Sequence, residues 1–86
     1  MNANIHKSFT KSFDRLDIKI QQAFKKRLLE FIDDPYKPEL MNHALRGKWL
    51  GNRSINISGD FRALYKEVSE NEALFVAIGT HSQLYR

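Results

Sequence analysis

The amino-acid sequence predicts a two-layer α+β domain, with an N-terminal helical hairpin packed on one face of a small, mostly antiparallel β-sheet. Two changes in pattern carry that expectation. Before Pro35, apolar residues recur at helical spacing; after Leu45 the period drops to two. A Gly59-Asp60 pair between two strand-like runs then ties those runs into a hairpin.

Taken in order, residues 3–7 form a short first strand, and Phe9, Phe13 and Leu16 mark an amphipathic helix with Ser8 as its cap. Asp17 caps a longer helix in which Ile20, Phe24, Leu28 and Phe31 make one apolar stripe. Pro35 stops it, because proline restricts Asp34 and has no N–H to continue the ladder. Arg53 to Ser58 alternates, with Ile55 and Ile57 on one face and Ser54, Asn56 and Ser58 on the other. Phe61 to Val68 is the next strand, and the apolar run Ala73 to Ile78 reads as a central strand covered on both faces.

The register of the hairpin follows from the cost of burying a charge. A two-residue turn at Gly59-Asp60 sets Arg62 opposite Ile57, pointing at the helices. A three-residue turn, Ser58-Gly59-Asp60, sets it opposite Asn56 on the uncovered face and sends Phe61, Ala63 and Tyr65 to the core. The second is expected, with Gly59 or Asp60 left-handed.

With 86 residues the chain is expected to be a single domain, residues 1–86, at a size where about 60% of the unfolded surface is buried. No apolar run approaches the roughly 20 residues of a membrane span, and MNANIHKSFTK has no apolar signal region, so a cytoplasmic, membrane-free protein is expected. The absence of cysteine rules out disulfides and thiolate metal sites. A net charge of +4 suits a polyanionic partner, nucleic acid first, or equally a solvated basic surface.

Chemistry-bearing residues concentrate in His43 to Arg62 and in the IGTHSQLY segment near the C-terminus. His43 and His81 carry imidazoles, the side chain suited to proton exchange near neutrality. The histidines, His6 included, have no metal-ligand spacing, so no metal or other cofactor is expected. Arg46, Lys48, Arg53 and Arg62 fall within seventeen residues among aromatics, a composition that neutralises phosphate and stacks bases, or guards an exposed edge strand. Asp60 at its turn also suits local backbone hydrogen bonding.

Together, HALRGKWLGNRSINISGDFRALYKE and IGTHSQLY resemble the RelE/ParE superfamily of bacterial type II toxins, and within it the YafQ-like messenger-RNA interferases. The order H-x-L-x-G-x-W-x-G-x-R, G-D-aromatic, G-T-H-x-x-L-aromatic carries the resemblance over nearly the whole chain. It implies a RelE-like fold and a ribosome-dependent endoribonuclease, metal-independent, that cuts mRNA in the ribosomal A site and is silenced by a cognate antitoxin.

By the same resemblance His43, Asp60 and His81 match family site residues, Tyr85 the C-terminal aromatic, and Arg62 a RelE-like arginine. Ser54 and Asn56 stand where RelE has two lysines and YafQ an aspartate and a histidine. His81 is expected as general acid, His43 or Asp60 as base, Arg62 with Arg53 as phosphate clamp, and Tyr85 as a stacking platform. Arg46, Lys48, Arg53, Ser54 and Asn56 are expected to contact RNA. The alternatives are a ParE-like gyrase inhibitor and a non-catalytic RNA- or antitoxin-binding module on the same fold.

Overall fold

The computed structural model describes residues 1–85. Its strands are β1 (Asn2–Ile5), β2 (His43–Ala44), β3 (Asn52–Ser58), β4 (Phe61–Ser69) and β5 (Glu72–Thr80); its helices are α1 (Lys7–Phe13), α2 (Ile18–Asp33) and α3 (His81–Tyr85). They form one five-stranded sheet in the order β1-β5-β4-β3-β2. Only the β1–β5 pair is parallel, so the expected mixed architecture holds.

The helical hairpin forms as its apolar spacing requires. The Asp17 side chain accepts from the Lys19 amide at 2.8 Å, satisfying a donor that the first turn of α2 leaves free. Phe24 and Phe31 are buried, and α2 ends at Asp33, two residues before Pro35. The cap of α1 differs from expectation. His6, not Ser8, is the cap, its ring nitrogen accepting from the Ser8 amide at 3.0 Å, while the Ser8 hydroxyl donates to the Val76 carbonyl. That bond fastens α1 to β5.

Beneath the helices Phe9, Phe24, Phe31, Tyr65 and Phe75 meet edge to face or tilted, with centroid separations between 4.8 and 6.0 Å. Ile55, Ile57, Ala63, Ala73 and Ile78 complete this core. Tyr65 is fully buried, but its hydroxyl accepts from Asn42 at 2.7 Å, which makes burial of the phenol tolerable.

The opposite face is less open than the alternation suggests. Leu45, Leu64 and Leu84 form a second cluster there, flanked by Trp49, Val76, Ala77 and Tyr85. Helix α3, which the sequence pattern did not announce, turns back across the end of β5. Its signal was local: Thr80 and Gln83 form a reciprocal cap, the Thr80 amide donating to the Gln83 side chain at 2.8 Å and the Gln83 amide to the Thr80 hydroxyl at 3.3 Å.

Candidate functional site

The site grows from the β3–β4 hairpin. Arg62 pairs with Asn56, as the charge argument requires, but by another route than a three-residue turn. Ser58 pairs with Phe61 across the two-residue turn Gly59-Asp60, and a bulge between Asn56 and Ser58 absorbs the odd residue. Gly59 takes φ of 52°, the left-handed conformation that glycine adopts without steric cost.

Side chains directly opposite in an antiparallel pair share a face. One row across the face opposite the helical hairpin is therefore Asn56, Arg62 and Gly79; the neighbouring row is His43, Ser54, Leu64 and Ala77. His43 and Arg62 sit two strands and two residues apart, roughly 12 Å between Cα atoms by standard sheet spacings. At that spacing the two side chains can face one phosphodiester from either side.

Helix α3 brings His81 to this end of the sheet. The His81 amide donates to the Asp60 carbonyl at 3.1 Å, while one guanidinium nitrogen of Arg62, Nη1, donates to the carbonyls of Gly59 at 2.8 Å and Phe61 at 3.0 Å. Three consecutive turn carbonyls thus anchor both residues. Gly79 leaves room for the cap of α3, since a Cβ there would stand 2.9 Å from the Gln83 side-chain oxygen. The indole N–H of Trp49 donates to the Leu84 carbonyl at 2.7 Å and straps the helix down. Tyr85 packs against His81, ring centroids 4.6 Å apart.

His43 is exposed, and its Nδ1 lies 2.9 Å from the Met41 carbonyl oxygen. A carbonyl only accepts, so Nδ1 carries the proton and Nε2 of the neutral ring keeps its lone pair. Met41 itself adopts φ of 48°, which is uncommon for a residue other than glycine.

The other expected contacts divide. Ser54 and Asn56 lie on the face opposite the helical hairpin, Ser54 buried rather than open to a ligand, and among the described residues the Ser54 hydroxyl and the Asn56 amide oxygen are buried without a hydrogen-bond partner. Asp60 is exposed at the turn. Arg46 is exposed, and the Lys48 ammonium sits 5.8 Å from the centre of the Trp49 ring. Arg53 corrects the expectation of a paired clamp. It lies opposite Tyr65, hence on the helix-covered face, where its Nε donates to Asn42 at 2.8 Å and its guanidinium stands over Tyr36. Sequence reasoning also passed over three contacts: Gln83 and the Met41 carbonyl act within two or three residues of their partners, in segments with no apolar period to mark them, and the Trp49 strap reaches across 35 residues to Leu84. Among the described residues no three His, Cys, Asp or Glu side chains gather as metal ligands, and no helix is long and apolar enough to cross a membrane.

A family model described as "Bacterial toxin of type II toxin-antitoxin system, YafQ" matches residues 1–86. No curated protein matches the chain. Among solved structures, a copper-bound mutant toxin from Helicobacter pylori is 30% identical, with 99% of each chain covered and a TM-score of 0.74. YafQ from Escherichia coli is 21% identical over 99% of this chain and 98% of that one, TM-score 0.73. A YoeB-YefM toxin-antitoxin complex from Staphylococcus aureus is 15% identical over 94% and 97%, TM-score 0.72. The last two, at such identities, bear on the fold alone.

Proposed function

The chain belongs to the YafQ family of bacterial type II toxin-antitoxin toxins, and from that membership we propose that it is a ribosome-dependent endoribonuclease that cleaves mRNA without a metal. The observation that carries the reading is the anchoring of His81 and Arg62 on the Gly59-Asp60-Phe61 carbonyls, on the face that also presents His43.

Nε2 of His43 takes the proton of a ribose 2′-hydroxyl. Asp60 at the turn is the other candidate base, but His43 has its tautomer set by Met41. The 2′-oxygen attacks the adjacent phosphorus in line, a bond to the 5′-oxygen breaks, and His81 protonates that oxygen as it leaves. A 2′,3′-cyclic phosphate and a 5′-hydroxyl result. Arg62 holds the phosphoryl oxygens through the edge that Nη1 leaves unused, so charge gained in the transition state meets a fixed cation. Tyr85 supports the His81 ring and offers a face to an unstacked base.

Ser54 and Asn56 cannot ionise, so this chain works without the charged pair its relatives carry on that strand. Arg46 and Lys48, both exposed, steer the polyanion. The partner that silences the toxin is a cognate antitoxin, whose acidic or amphipathic segment folds onto the basic surface. The place of action is the cytoplasm, where ribosomes translate.

Primer extension on cellular mRNA after induction tests the reading, with His81→Ala beside wild type. In-frame cuts within codons, lost in the variant, are expected. Ribosome binding without new 5′ ends points instead to a non-catalytic module, and filamentation with DNA damage to gyrase poisoning; either overturns the nuclease.

A further inference from the structure

Asn56 carries a side-chain oxygen that is enclosed yet has no hydrogen-bond partner. Buried polar atoms are rarely left so, and each one calls for a physical explanation. Directly across the strand pair stands Arg62, with five N–H donors, of which only Nη1 is engaged, and on backbone carbonyls of its own turn. On the other side of Arg62 the row offers Gly79, which has no side chain, and the Gln83 oxygen above it is already taken by the Thr80 amide. The side-chain acceptor that the sheet itself presents to this guanidinium is therefore Asn56.

Resting on the RNA-binding reading of this face, we infer that Asn56 is the positioning residue of the Arg62 clamp: its amide oxygen receives the guanidinium when a phosphodiester occupies the site. Arg62 has two stations. Without RNA it lies folded on Gly59 and Phe61; with RNA it swings inward, one edge to Asn56 and the other to the phosphate. The residue type fits the task. An amide oxygen orients a guanidinium without neutralising it, whereas a carboxylate would hold Arg62 permanently and repel the phosphate.

The test reads binding separately from cleavage. Ribosomes are programmed with a message carrying 2′-deoxynucleotides at the A-site codon, which removes the attacking hydroxyl, and Kd is measured for wild type, Asn56→Leu, Arg62→Ala and the double variant. Each single change is expected to weaken binding about tenfold, and the double variant no more than Arg62→Ala alone, as for two residues acting in series. Thermal melting of Asn56→Leu is expected at or above wild type, because the orphaned acceptor is gone; Asn56→Val, suited to a strand, serves the same cycle if the leucine variant does not fold. Losses that multiply in the double variant, an unchanged Kd for both Asn56 variants, or a lowered melting temperature for both would overturn the inference. Cleavage of the all-ribose message by wild type decides the nuclease reading independently. Cuts with multiplying losses sink the role of Asn56 alone; no cuts with a closed cycle sink the nuclease and leave Asn56 in place.

Discussion

The amide of His81 donates to the carbonyl of Asp60 at 3.1 Å, joining the start of α3 to the turn between β3 and β4. The two stand twenty-one positions apart in sequence, and this bond is where the two motif segments meet.

Gly79→Ala should weaken that junction through Gln83. The new Cβ stands 2.9 Å from the Gln83 oxygen, which must leave the Thr80 amide and so release the cap of α3. A loss of about 1 kcal/mol is expected, typical of a removed cap. In a Gln83→Ala background the same change should cost almost nothing, since clash and cap are both gone. Urea unfolding of the four proteins checks the cycle.

Trp49→Phe removes the N–H that holds the Leu84 carbonyl. A cost of about 1 kcal/mol is expected. Amide hydrogen exchange should accelerate at Gln83, Leu84 and Tyr85 while β4 and β5 keep their protection, and mRNA cleavage should fall less than in His81→Ala. Unchanged exchange in α3 would show that the strap carries no strain.

His43→Ala should lower the cleavage rate about a hundredfold, within the usual range for a lost general base. It should also flatten the rise of rate with pH on the acid side, because a base acts only once deprotonated. Asp60→Asn should leave that limb in place. The reverse pattern in the two pH profiles assigns the base to Asp60.

Burial pushes the Tyr65 phenol above its ordinary value of 10.0, a rise that the bond from Asn42 only partly offsets. The folded chain therefore holds this proton where the unfolded chain has lost it. The stabilising contribution is complete below the unfolded value and drains away as pH rises through the folded one. Tyr65→Phe should cost about 1 kcal/mol near neutrality by leaving one N–H of the Asn42 side chain without its acceptor, yet lose less between about pH 8 and pH 10.5 than wild type does, as read by urea unfolding.

Much of this architecture was legible because it rests on local period and local cost. The Phe24 and Phe31 stripe, the Asp17 cap and the stop before Pro35 depend on residues within a turn or two of one another. The placing of Arg62 opposite Asn56 followed from the expense of a buried guanidinium, which holds whatever turn delivers it. The turn itself was misjudged because a bulge and a longer loop shift the register alike. β2, with two residues, is too short for any period to show, and the Thr80-Gln83 cap marks a helix too short to have an apolar face.

The sequence alone determined the layers, the family and the residues able to do chemistry, since residue type, spacing and motif order are written along the chain. Only the tertiary structure decided which of them lie together. It sent Arg53 to the helix-covered face with Tyr36 and Asn42 and left Arg62 on the other, because strand parity fixes sides only once the pairing is known. It brought His81 to Asp60 through a helix folded back across the end of β5 and strapped by the Trp49 indole, contacts that no local pattern along the chain announces.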